Sequence, residues 1–450
     1  MRALVGIVAL AGLLLAACGG VRTIPAPSDD PTTTAPAVPS PRSPDPGDAV
    51  PIRAEAARAT ATDVTEDELF ALVAGDTRFA LDLYDRAAGG TNLVLSPYGV
   101  ARALTMAYAG ARSDTAAEMR EVLHLGPAGD RVHPARNELD LRITTPGGSS
   151  PVDERTPFTL RVADSLWAQR DYRFRAPFLT TLAEHYGAGI HLVDFVEDPA
   201  AARRTMNTWV ERETEGRITE LIPEGTVDDL TRLVLVDAVW FEASWRVPFD
   251  PDLTADAAFV TLDGEEVTVP MMAGSLRAGY VDGDDYTAVR LPYVGDASML
   301  LVLPDPDRFD AVVSRFDPPL LAEIDEGLSD HEVALRMPRF EFRTTLPLTE
   351  VLRTLGMVAA FTPPSESGGA DFSGMTGARE PFLGDVAHEA FIAVDEHGTE
   401  AAAATAVVVR TVSAAPPATL DLDRPFLFVV RHDPTGEILF LGQVTDPSAG

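Results

Sequence analysis

A mostly apolar run extends from Ala3 to Ala17 behind a single basic residue, Arg2, and then gives way to a stretch with no hydrophobic period at all. From Val21 to about Arg53 the chain is Pro, Ser, Thr, Asp and Ala, and so many prolines hold it extended without regular structure. Helical spacing begins with Leu69, Leu72 and Val73, directly behind Thr65-Glu66-Asp67-Glu68, which has capping-box spacing. Helical patterns continue to about Leu125, interrupted at Asn92-Leu-Val-Leu-Ser96-Pro97. Residues 144 to 157, TTPGGSSPVDERTP, read as a surface loop, and Phe158 to Gln169 alternates as a strand. Another helix is expected around Ala200 to Glu213, with Met206, Trp209 and Val210 on one side. Buried strands are expected at Leu233 to Phe241, Met299 to Leu303, Phe426 to Val430 and Ile438 to Val444. Helices crowd the first half and strands the second, so the class is α+β around a mixed sheet, with no internal repeat.

One stretch fits neither period. DEHGTEAAAATAVVVRTVSAAPP, residues 395 to 417, begins with helix formers and continues with the composition of a strand. It has no polar face for an amphipathic helix, and it stands just before the last strands.

Composition narrows the function classes. The chain has 450 residues, 46% hydrophobic and 23% charged, which suits one large globular domain with appendages. Acidic residues number 69 against 36 basic ones, every basic residue is Arg, and the formal charge is −33. Such a chain repels nucleic acid and acidic polysaccharide, so no nucleic-acid partner is expected. Enzyme signatures are missing: there is no Gly-x-Ser-x-Gly, no His-Glu-x-x-His and no phosphate-binding Gly loop. Eight histidines are scattered without ligand spacing, so no metal or cofactor is expected.

The apolar run is short for a membrane span and ends in small residues, as a secretory signal does. Leu15-Ala16-Ala17-Cys18 resembles the bacterial lipoprotein box, which implies lipidation of Cys18 and export with anchoring to the outer face of the cell membrane. Cys18 is the single cysteine, so the fold stands without an intrachain disulfide. The expected organisation is a signal peptide at 1–17, a Pro-rich linker at 18–62 and a folded domain at 63–450.

Several separated blocks stand out in order along the chain, among them NLVLSPYGVARALTMAYAGARSDTAAEM (92 to 119), LVLVDAVWFEASWRVPFD (233 to 250), VALRMPRFEF (333 to 342) and RPFLFVVRHDPTGEILFLGQVTDP (424 to 447). In this order they resemble those of the serpin family. The resemblance spans roughly residues 63 to 447. It implies a serpin fold, with helices packed on a large central mixed sheet plus smaller sheets, and an exposed reactive-centre loop at about 396 to 418. It also implies a monomeric inhibitor, not an enzyme. In the mechanism that the resemblance implies, a serine protease cleaves the loop, is held as an acyl-enzyme, and is disabled when the loop inserts as a strand in the main sheet.

The undecided stretch suits that role. In a strand, Thr399, Ala401, Ala403 and Thr405 share one face and are small enough to enter a packed interior, while Glu400, Ala402 and Ala404 face outward. Gly398 gives the hinge backbone freedom. Family spacing from Glu396 places the reactive bond at Val412-Ser413, suited to the narrow pocket of an elastase-like or subtilisin-like enzyme. A register shorter by two would use Arg410-Thr411 and select trypsin-like enzymes. Ser96 and His388 match a family cluster that controls sheet opening, while Gly99 and Asp237 stand where the family has Ser and Asn. An Asp beside a His suggests a charge-assisted pair and a latch sensitive to pH around the His range. Trp245 matches the aromatic at which insertion begins. The helix TAAEMREVLHL carries one Arg, so glycosaminoglycan activation is not expected. The rival reading is a surface binding protein that uses the serpin scaffold without inhibiting.

Overall fold

In the computed structural model, the described residues are 49–126, 131–145, 158–399 and 417–449. The signal segment, Cys18 and most of the loop expected at 144 to 157 lie outside them.

In chain order the elements are β1 (Val50–Ile52), α1 (Glu66–Ala87), β2 (Leu93–Leu95), α2 (Pro97–Tyr108), α3 (Ser113–Val122) and α4 (Val132–Thr144). Next come β3 (Thr159–Gln169), α5 (Ala176–Tyr186), β4 (Ile190–Val193), α6 (Pro199–Glu213) and β5 (Leu233–Ser244). The middle of the chain forms β6 (Ala255–Val260), β7 (Glu266–Asp282), β8 (Tyr286–Pro292), β9 (Ala297–Pro304), α7 (Phe309–Val313) and α8 (Pro318–Gly327). Then follow β10 (Ser329–Pro338), β11 (Phe340–Pro347), α9 (Leu348–Leu355), α10 (Ser373–Thr376) and β12 (Leu383–Val394). The last are β13 (Gly398–Thr399), β14 (Ala418–Asp421), β15 (Phe426–His432) and β16 (Glu437–Val444).

Local sequence sets the helix starts. The Thr65 hydroxyl accepts from the Glu68 amide at 3.2 Å and the Glu68 carboxylate accepts from the Thr65 amide at 2.8 Å, completing the capping box of α1. Ser96 caps α2 with Pro97 at its first position, and Asp198 caps α6 with Pro199 there.

Among the described residues one sheet has the order β1-β4-β3-β5-β13-β12-β11, and a second, nine-stranded sheet packs beneath it. The first sheet is mixed: β3 and β5 are antiparallel, whereas β5 and β12 are parallel. β5 reads as a nearly unbroken apolar run because both of its faces are covered. Val234, Val236 and Ala238 face Met206 and Val210 of α6, while Leu235, Val239 and Phe241 join the main core on the side of α2. Asp237 stands in that second, otherwise apolar line.

The linker is shorter than its composition suggests. Val50–Ile52 adds to the sheet as an edge strand, pairing with Ile190 to Leu192 of β4. Arg58 then reaches α4, donating to Asn137 at 2.8 Å and Asp140 at 2.9 Å, and the Ala59 amide donates to the Glu184 carbonyl. The folded domain therefore begins near residue 50, not 63. Pro51 hid this strand, but an edge strand with one free side tolerates a residue that lacks an N–H. Among the described residues no helix is long and apolar enough to cross a membrane.

Candidate functional site

The site is the seam between β5 and β12. From Leu233 to Val239 and from Leu383 to Ala390 the two strands pair directly. Beyond that they part, and β13 fills the opening: Thr399 lies opposite Ala243 of β5 and Val394 of β12, antiparallel to both.

Each hinge residue has a physical reason to be where it is. β12 reverses at Asp395, whose carboxylate accepts from the His397 amide at 2.7 Å and the Gly398 amide at 3.1 Å. Gly398 has φ of 155°, and a Cβ there would stand 2.0 Å from the Ala243 carbonyl oxygen, so only glycine fits. Thr399 is buried, and its Oγ1 lies 2.6 Å from the hydroxyl of Tyr293. Tyr293 stacks on Trp245, with ring centres 4.4 Å apart and planes 8° from parallel. Trp245 donates from its indole to the Asp395 carbonyl at 3.0 Å and from its amide to the His397 carbonyl at 2.8 Å.

Glu396 is buried behind the turn and is held by Arg339, with Nη2 to Oε1 at 2.6 Å and Nε to Oε2 at 2.7 Å. The Thr254 hydroxyl donates to the same carboxylate. Burial works against the Glu396 charge, but the Arg339 and Thr254 hydrogen bonds outweigh it and hold the carboxyl below its ordinary range.

Lower in the seam the structure brings Ser96, Gly99, Asp237 and His388 together. Ser96 Oγ accepts from the Gly99 amide and donates to the Leu439 carbonyl, fixing the start of α2. The Ser96 amide donates to His388 Nε2 at 3.1 Å. That nitrogen therefore carries no proton, and His388 is the neutral tautomer with its proton on Nδ1. Nδ1 donates to Asp237 Oδ2 at 2.5 Å across the seam. Burial pushes His388 down to about 4 and Asp237 up to about 7. The titration expected in the ordinary His range is thus displaced below it. The two departures at this cluster are spatially coupled, because a Cβ on Gly99 would stand 2.4 Å from Asp237 Oδ1.

Glu400, Ala401, Ala402, Ala403, Ala404 and Thr405 of the hinge, and Val412-Ser413 or Arg410-Thr411 of the reactive bond, lie outside the described residues. Tyr293, Arg339 and Thr254 were not foreseen. Arg339 sits in the block VALRMPRFEF, but nothing local signals its partner 57 residues later in the chain. Among the described residues no group of three His, Cys, Asp or Glu could hold a metal ion.

Comparison with known proteins gives a consistent picture. Residues 74–447 match the family model described as Serpin (serine protease inhibitor). The chain is 37% identical over 391 residues to the leukocyte elastase inhibitor of Bos taurus, covering 84% of this chain and 99% of that protein. It is 37% identical over 377 residues to an uncharacterized serpin-like protein of Thermococcus kodakarensis, covering 83% of this chain and 85% of that one. Among solved structures it resembles Serpin48 of the insect Tenebrio molitor, a highly specific serpin, with TM-score 0.73 and 30% identity, covering 85% of this chain and 99% of that one.

Proposed function

The chain belongs to the serpin family, and on that footing we propose that it inhibits serine proteases as a suicide substrate. The target's serine attacks the carbonyl of the reactive bond and forms an acyl-enzyme. The cleaved loop then enters the seam between β5 and β12 as a full strand. The protease is carried along and distorted before water can deacylate it. Strand addition with release of stored strain is the way serpins are known to work.

One observation supports this reading above the others: Thr399 is already seated between β5 and β12, antiparallel to both. Continuing that register, Ala401, Ala403 and Thr405 come level with Phe241, Val239 and Asp237 of β5. On the other side they come level with Ile392, Ala390 and His388 of β12. These incoming side chains are small, as a packed interior requires. Insertion replaces one parallel pairing with two antiparallel ones. At ~0.5–1.5 kcal/mol per hydrogen bond, about a dozen new bonds stabilise the inserted form by on the order of ten kcal/mol, comparable with the stability of a whole domain.

For specificity we take Val412-Ser413 as the reactive bond, with elastase-like or subtilisin-like targets, and Arg410-Thr411 as the alternative for trypsin-like ones. The leukocyte elastase inhibitors among the relatives favour the first. The N-terminal sequence supports export and anchoring through acylated Cys18, with the Pro-rich segment as a tether.

Incubation with elastase, subtilisin and trypsin, followed by a denaturing gel, tests the mechanism. A covalent band at the summed mass is expected with at least one of them. Clean cleavage in every case, with no rise in melting temperature afterwards, would instead identify a scaffold used only for binding. Mass spectrometry of the released fragment distinguishes a start at Ser413 from a start at Thr411.

A further inference from the structure

Beneath the seam lies a second acid that the loop mechanism does not use. Asp164 of β3 is directly opposite Asp237 of β5, so both side chains project from the same face of the sheet into the core. Both are fully buried. One oxygen of each is accounted for: Asp164 Oδ2 accepts from Arg102 Nη1 at 2.6 Å, and Asp237 Oδ2 accepts from His388 Nδ1 at 2.5 Å. The remaining oxygen of each, Oδ1, is buried and receives no N–H or hydroxyl donor. The register thus makes the two buried carboxyls cross-strand neighbours, each with one oxygen that no donor reaches. Leaving both of them charged side by side would cost repulsion on top of desolvation, and one proton held between them relieves both costs.

The surrounding groups leave no other source for that proton. On α2, Arg102 donates to Asp164 and, through Nε, to Asp140 of α4 at 2.8 Å, so its charge is shared between two acids. Asp140 also accepts from Arg58 and from the Tyr98 hydroxyl. On β12, His388 is neutral because its Nε2 accepts from the Ser96 amide. Glu389 projects from the opposite face of that strand, where Thr345 donates to it and Arg343 lies 3.8 Å away. On the side of Gly99 there is only the α2 backbone, with no room for a side chain.

We propose that Asp164 and Asp237 hold one proton between them while the sheet is shut, and that this proton counterbalances His388 across the seam, so that acid neither loosens nor tightens the latch as a whole. The balance is explicit. When the cluster is exposed by unfolding in mildly acidic water, the carboxyl pair gives up its proton and becomes two carboxylates, while His388 takes up one and becomes imidazolium. One proton is lost and one gained. Burial raises both carboxyls of the pair in the folded state, so their shared proton favours folding increasingly as pH falls towards the ordinary carboxylate range. His388, depressed in the folded state, favours folding decreasingly as pH falls from its ordinary 6.5 towards about 4. With one proton on the pair, the two slopes oppose each other between about pH 4 and 6.5.

Two variants separate them. Free energies of unfolding in urea are measured from pH 4.5 to 6.5 for the full chain, Asp237→Asn and His388→Gln, and each variant is compared with the parent at the same pH so that other titrating groups cancel. Relative to the parent, the unfolding constant of Asp237→Asn should fall about tenfold per unit rise in pH, and that of His388→Gln should rise about tenfold. Slopes of the same sign, or no slope for Asp237→Asn, would overturn the proposal. An infrared spectrum at pH 6, with the aspartate carboxyls labelled with carbon-13, needs no variant and leaves the buried Glu437 unlabelled. A protonated aspartate band is expected, and its absence would overturn the proposal even if both variants failed to fold. Where Asp237→Asn does fold, persistence of the full band in it would do the same.

Discussion

Tyr293 and Thr399 touch through their hydroxyls, 2.6 Å apart and fully enclosed, at the point where β5 and β12 part. The contact fixes the depth to which the hinge has entered the sheet. Thr399→Val keeps the shape but leaves the buried Tyr293 hydroxyl without a partner, and should cost about 1–3 kcal/mol in urea unfolding. Thr399→Arg should act differently, because a long cation cannot follow the loop beneath the sheet. Cleavage by the target protease should then outrun trapping, seen on a denaturing gel as cleaved inhibitor in place of the covalent band.

Arg339 and Glu396 hold the other side of the turn. Glu396 is almost fully enclosed, whereas Arg339 is half exposed, so Arg339→Ala leaves a buried carboxylate with Thr254 as its one remaining side-chain donor. A loss of about 1–2 kcal/mol at pH 7 is expected, reduced from a fully buried pair because water screens the arginine. The sign with pH follows from the lowered folded value: the stabilisation is complete above the ordinary 4.5 and is lost as pH falls through the folded value. The gap in urea midpoint between parent and variant should therefore close below about pH 4.5.

Much of this was legible in the sequence because it depends on local period. The capping box at Thr65, the alternation of β3 and the apolar run of β5 lie within about a residue or two of where pattern placed them, though β5 continues to Ser244. The family blocks brought Ser96, Asp237 and His388 to one cluster, and the structure places them in contact. What pattern could not supply is pairing across the chain. Asp164 read as one polar position in an alternating strand, and only the register with β5 sets it against Asp237. Arg339 and Tyr293 were equally silent, since their partners stand 57 and 106 residues further along the chain, beyond several intervening elements. β1 was missed because its proline and its polar neighbours give the composition of a linker, whereas an edge strand needs only one side able to pair.

Gly99 offers a contest between helix propensity and packing. It lies inside α2, where alanine would ordinarily stabilise by up to about 1 kcal/mol. A methyl group there meets Asp237 Oδ1 at 2.4 Å and Val239 Cγ2 at 2.6 Å, both on a central strand that cannot retreat. Gly99→Ala should therefore destabilise by about 1–3 kcal/mol, with packing the winner. A rise in the urea midpoint would show that the strand yields more easily than its burial implies.

The edge strand makes the last test, because its seat can be spoiled from either side. β1 pairs with β4 so closely that a Cβ on Gly189 would lie 2.3 Å from the Ile52 carbonyl oxygen. Gly189 has no positive φ, so alanine is conformationally acceptable there and the obstacle is β1 itself. Gly189→Ala should destabilise the full chain by dislodging β1 from its ladder, and deletion of residues 1 to 53 should destabilise it by a similar amount, about 1–2 kcal/mol, through loss of the same few hydrogen bonds and the packing of Ile52. Combined, the two changes should cost no more than the deletion alone, because the methyl group then meets empty space. Urea unfolding of the four proteins closes the cycle. Additive losses would mean that Gly189 serves some contact other than β1, and the start of the folded domain would have to be placed beyond residue 53.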